Sequence, residues 1–176
     1  MKKIFYITLL MMTMAFANTT EDKAYRAYEN GNYKKALNLF QETCDNFNIN
    51  SCYNLGFMYD SGKGTRKDPS KAIKLYKKAC NGGSVRGCYN LATLYNDGKD
   101  VKQNWKIAAQ FYFKACNGDF AKGCYNLGNL YYNGLGVNKD KYKASEFYLK
   151  SCDKGFANGC FNIGVIYQNK LGSSKL

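Results

Sequence analysis

The sequence predicts an all-α protein, an α/α superhelical solenoid of disulfide-stapled helical hairpins. Three observations predict it. The eight cysteines stand at 44, 52, 80, 88, 116, 124, 152 and 160, in pairs 8 apart that recur every 36 residues. Their neighbours recur with them: Ala36, Ala72, Ala108 and Ala144 lie before each pair, and Tyr59, Tyr95, Tyr131 and Tyr167 lie after it. Self-similarity at a fixed period of this length marks a stacked-repeat architecture. Within each copy the apolar residues fall at i, i+3, i+4 and i+7, the stripe of a buried helix face.

The elements follow in order. The first helix starts near residue 21 and ends at Tyr28-x-x-Gly31. Only a short turn separates Gly31 from Ala36, so the first hairpin closes more tightly than the later ones. The second helix carries Ala36, Phe40 and Cys44. The third carries Cys52, Leu55 and Tyr59 and stops at Gly62, a residue suited to the left-handed helix end. Asp68 then caps the fourth helix, with Pro69 at its first position, where a missing N–H costs nothing. Ala72, Leu75, Tyr76, Ala79 and Cys80 form its inner stripe. The fifth helix (Cys88, Leu91, Ala92, Tyr95) ends at Gly98, and Asn104 caps the sixth. The seventh ends at Gly134, and Asp140 caps the eighth. A ninth, closing helix is predicted over about residues 156–169. Val101 and Val137 are expected to plug the long loops onto the core, and Trp105 to pack at a loop or rim. Gly87, Gly123 and Gly159 precede the second cysteine of a pair, with Ser51 in the first copy, and small residues there let helices approach closely.

The ends read differently. Lys2 and Lys3, the apolar run Ile4 to Met14 and the small-x-small segment Ala15-Phe16-Ala17 predict a signal peptide over residues 1–17. The solenoid is assigned to residues 18–170 and a tail to residues 171–176. No stretch is long and apolar enough for a membrane span. The expected location is periplasmic or secreted. Without Lys2 and Lys3 the chain keeps 24 basic and 13 acidic residues, a net charge of +11. Such a charge favours acidic partners and anionic surfaces and also keeps a protein soluble.

In an oxidising compartment, paired cysteines read as disulfides. Identical units make identical local bonds, which selects Cys44–Cys52, Cys80–Cys88, Cys116–Cys124 and Cys152–Cys160. The chain has no histidine and no C-x-x-C pair. That removes most zinc patterns and every histidine-based catalytic scheme, so no metal or cofactor is expected. No base-reading motif is present, and no nucleic-acid partner is expected.

The Leu-Gly-x-x-Tyr-x-x-Gly core and the segment from Lys71 to Cys80 resemble the SEL-one-like repeats. The cysteines paired 8 apart narrow the resemblance to the Helicobacter cysteine-rich protein family, tetratricopeptide-related solenoids. The resemblance covers essentially the whole chain after residue 17. It implies an extracytoplasmic location, and a β-lactam or cell-wall-derived ligand bound or slowly hydrolysed by a penicillin-binding protein or β-lactamase. Departures are Ser51, the glycine-free turn Asp45-Asn46-Phe47, and Asp100 in place of a second loop glycine.

Two sets of candidate residues result. The Ser-x-x-Lys pattern of a serine β-lactamase occurs at Ser151 and Lys154, without a supporting Lys-Thr-Gly segment. The binding candidates are Asn54, Asn90, Asn126 and Asn162, repeated every 36 residues in first helices, with Phe57, Thr93, Asn129 and Val165 one turn on. First helices of such solenoids line the concave face. A ladder of amides there suits the backbone of an extended peptide or protein segment, because each amide both donates and accepts. Bonds to neighbouring groups that serve the repeat itself are the other role these amides fit.

Overall fold

A computed structural model describes residues 19–173, with side chains to residue 168. The predicted signal peptide and residues 174–176 lie outside the described residues. Nine helices occur among the described residues: α1 Thr20–Glu29, α2 Tyr33–Asp45, α3 Ile49–Ser61, α4 Pro69–Asn81, α5 Val85–Asp97, α6 Trp105–Asn117, α7 Ala121–Asn133, α8 Lys141–Asp153 and α9 Ala157–Ser173. There is no strand among them. The fold is the all-α solenoid of stapled hairpins that the repeat predicts. α9 runs four residues past the expected end of the closing helix and into the segment assigned to the tail.

Helix ends explain the hairpins. Gly62, Gly98 and Gly134 adopt φ of 73°, 64° and 74°, and each donates its N–H to the carbonyl of Met58, Leu94 or Leu130. This left-handed turn satisfies a carbonyl the helix leaves open, and an L side chain resists it. The next helix starts on a side-chain cap: Asp68 accepts from the Lys71 N–H, Asn104 from Ile107, and Asp140 from Tyr142 and Lys143. Three long loops, residues 62–68, 98–104 and 134–140, join the helices of the later hairpins, whereas residues 30–32 suffice for the first.

The chain divides into two compact units between Leu75 and Tyr76, inside α4. In the first unit Ala24, Ala27, Ala36, Phe40, Leu55 and Met58 are buried. Tyr25 meets Phe40 edge-on at 5.2 Å. Gly64 lies so close to the Tyr33 backbone that a Cβ would fall 2.5 Å from its carbonyl oxygen. Cys44–Cys52 staples α2 to α3, with Cα atoms 4.6 Å apart.

In the second unit the core runs through Ala92, Ala108, Tyr112, Leu127, Leu130 and Phe147, with Tyr95, Trp105 and Val137 packed against it. Cys80–Cys88, Cys116–Cys124 and Cys152–Cys160 join α4 to α5, α6 to α7 and α8 to α9. Beside each bond the glycine preceding the second cysteine brings the helices together. A Cβ on Gly87, Gly123 or Gly159 would lie 2.9, 2.8 or 2.8 Å from the Cβ of Ala79, Ala115 or Ser151.

Candidate functional site

The repeated amides of the first helices are half-buried, and Asn54, Asn126 and Asn162 each stand beside a tyrosine hydroxyl. In the second unit Asn126 stands near enough to the hydroxyl of Tyr112, a residue 14 positions earlier on the preceding second-type helix, to favour its ionised form. Asn162 stands near Tyr148 in the same way, at the same offset. Thr93 reaches the Tyr112 hydroxyl at 3.3 Å, and the Tyr148 hydroxyl donates to Asn129 at 2.7 Å. Burial pushes both tyrosines up to about 12, against the opposing influence of Thr93 and Asn126 on Tyr112 and of Asn162 on Tyr148. They therefore stay protonated near neutral pH and hold a donor and an acceptor in place.

In the first unit the equivalent position is Phe40, which has no hydroxyl. Tyr25 supplies it instead, and Asn54 donates to it at 2.7 Å. Phe57 lies under the Lys63 ammonium, 5.8 Å from its ring centre, beside Tyr28 at 4.9 Å and Tyr33 at 5.3 Å. Lys63 also donates to the Tyr28 hydroxyl at 2.8 Å, so three rings and one hydroxyl hold this loop lysine.

A pocket of about 270 Å³ in the second unit brings Asn129, Asn162 and Val165 together with Tyr132, Asn133 and Phe161. Its wall is mixed. Amide and phenol groups stand beside the exposed Phe161 ring and the edge of Val165. Tyr112 and Tyr148 are buried core residues whose hydroxyls face these polar groups. The signal was present as a constant 14-residue step from tyrosine to asparagine, which fails only where Phe40 replaces tyrosine.

Ser151 and Lys154 are placed on different partners. Ser151 is fully buried, and its hydroxyl donates to the Ala121 carbonyl at 2.8 Å. Lys154 pairs with Asp119 at 2.9 Å. That ion pair closes over a cleft of about 200 Å³ beside Cys116–Cys124. At the equivalent place one repeat earlier, Gly83 and Gly118 stand in for Asp119 and Lys154. The cleft there opens to about 640 Å³, walled by Cys80, Cys88, Phe111 and Phe113. The mark of this cleft in the sequence is the paired replacement of charged residues by glycine.

Among the described residues no group of His, Cys, Asp and Glu could hold a metal ion, and no helix is long and apolar enough to cross a membrane. The Sel1 repeat family model matches residues 24–46, 49–84, 85–120 and 121–156. A stretch of 43 residues is 44% identical to HcpE of Helicobacter pylori, which carries a provisional β-lactamase name. It spans 24% of this chain and 12% of HcpE. The Sel1 repeat protein from Oxalobacter formigenes superposes with a TM-score of 0.79 at 25% identity, over 84% of this chain and 60% of that one. Cysteine rich protein B of Helicobacter pylori superposes with a TM-score of 0.56 at 29% identity, over 82% of this chain and 97% of that one.

Proposed function

Because the chain belongs to the Sel1 repeat family, a family of helical-repeat scaffolds, we propose that it is an exported binding module that holds an extended peptide or protein segment. The observation that carries this reading is the second unit's pocket at Asn129, Tyr148 and Asn162, where amides and a buried hydroxyl stand beside exposed apolar side chains. Amides that bond a tyrosine hydroxyl keep further donor and acceptor capacity for a peptide backbone. Phe161 and Val165 offer apolar surface for its side chains. The four formed disulfides and the likeness to the Helicobacter cysteine-rich proteins support a site of action outside the cytoplasm, in the periplasm or after secretion.

The test is binding to an immobilised array of extended peptides. Asn126→Ala and Asn162→Ala are expected to weaken the captured sequences by about tenfold, the loss of roughly one good hydrogen bond in a desolvated site. Binding that both variants leave intact, with unchanged melting, excludes the amide face.

The likeness to HcpE favours a second reading, in which a β-lactam is bound or slowly opened. Ser151 lends it no support, since a buried hydroxyl already donated to a carbonyl is not poised for attack. Turnover of a chromogenic cephalosporin by the purified protein would favour that reading. Its absence would leave the binding module.

A further inference from the structure

The cleft of about 640 Å³ beside Cys80–Cys88 is formed by the corner between α4 and α5 and by the helix α6 that follows. It lies inside the array: its lining runs from Cys80 to Gly118, and α7, α8 and α9 come after it in the described chain. The same place one repeat on is the cleft of about 200 Å³ beside Cys116–Cys124. The two are built from equivalent positions, so their differences show what each can hold.

The later cleft is lined by the carboxylates of Asp119 and Asp153 and the ammonium groups of Lys150 and Lys154. In the earlier one Gly83 stands for Asp119, Asn117 for Asp153 and Gly118 for Lys154. Gln110, also on its wall, stands for Glu146. Among the described residues no acid lines the earlier cleft, and one cation, Lys114, remains at the position of Lys150. The space the charges leave has an apolar wall. Val85 fills the place that a Cβ on Gly118 would take. Phe113 replaces Leu149 and is 48% exposed. The Lys114 ammonium lies over the Phe111 ring, 5.4 Å from its centre. An apolar and aromatic wall with a few placed polar groups, at this volume, is the make-up of a small-molecule site.

We propose that this cleft binds a small aromatic monocarboxylate. The ligand's ring lies against Phe111 and Phe113, where offset or edge contacts between rings add to the gain from burial. Its carboxylate meets the Lys114 ammonium, with the Gln110 and Asn117 amides as further donors. One cation and no acid select a single negative charge: Lys114 repels a cation, and a neutral ring forgoes the ion pair. The cleft shares no lining residue with the pocket at Asn129 and Asn162, so it stands whether or not that face holds a peptide.

Naphthoate is the probe and its neutral amide, naphthamide, the control, each titrated into isotope-labelled protein and followed by backbone amide NMR shifts. Saturable shifts are expected around Gly83, Lys114 and Gly118, with naphthamide the weaker binder. Lys114→Gln should weaken naphthoate roughly threefold to fivefold, the scale of a partly exposed ion pair, and leave naphthamide unchanged. Asn117→Asp and Gln110→Glu restore the acids of the later cleft without a change of size, and should weaken naphthoate in the same sense. Lys150→Gln, at the later cleft, should leave both probes unchanged, which separates a local ion pair from attraction to the net positive charge. All four positions are exposed, so each variant should melt like the parent. No saturable shift up to about 5 mM probe, shifts centred elsewhere, or equal affinity for the amide overturns the proposal. So does an effect of Lys150→Gln as large as that of Lys114→Gln.

Discussion

Among the described residues, Ser51 holds a fully buried hydroxyl with no hydrogen-bond partner. Its counterparts are Gly87, Gly123 and Gly159, which have nothing to satisfy. Ser151, also buried, has the Ala121 carbonyl to donate to. An orphaned buried hydroxyl keeps its desolvation cost without a bond in return. Ser51→Ala is therefore expected to stabilise the protein by about 1 kcal/mol, read as a rise of roughly 2–4 °C in melting temperature. An unchanged or lower Tm would mean that the hydroxyl has a partner. The odd residue at position 51 was legible in the sequence, but its missing partner was not. Phe40 teaches the same lesson. The lost hydroxyl is visible as a departure from tyrosine, whereas its replacement by Tyr25 depends on a residue 15 positions away and a packing angle.

Helices and turns were the most legible level. Each left-handed glycine and each Asp or Asn cap sits where local backbone chemistry demands it, and that demand reaches only a few residues along the chain. The close approach at the stapled corners extends further, because Gly123 and Ala115 must shrink together. Gly123→Val is expected to cost about 2–3 kcal/mol or more, since its Cβ would fall 2.8 Å from that of Ala115 and 3.2 Å from the Cys116 nitrogen. Thermal unfolding checks it, and a loss below about 0.5 kcal/mol would show that the corner can open. The turns before these corners are less uniform than the repeat suggests. Phe47 and Asp119 adopt φ of 63° and 64° where Gly83 and Gly155 take the same conformation without a side chain. The sequence flags the first turn as glycine-free but says nothing of its hand. The partners of the tyrosine hydroxyls were likewise hidden, because a hydrogen bond across 19 residues is set by how helices stack.

At the scale of the molecule, the 36-residue period was enough to read the architecture and the cysteine pairing. The boundary between the two units was not readable. It falls inside α4, where the apolar stripe runs unbroken from Ala72 through Tyr76 to Cys80. Each disulfide closes a short loop, with a contribution of about 2–3 kcal/mol in the chain-entropy account. Full reduction is therefore expected to lower the melting temperature sharply, and a reduced protein that melts with the oxidised one would show that packing alone suffices. The staples join one hairpin to the next and leave the two helices of each hairpin without a covalent bridge. A protease that cuts a corner between stapled cysteines, at residues 46–48 or 118–120, produces a nick that a non-reducing gel cannot see. A cut in the loops at 62–68, 98–104 or 134–140 leaves two fragments held only by their packing. Digestion of the native protein should thus sort the connections into two classes by gel alone: those whose cleavage is masked until thiol is added, and those that separate in denaturant without it.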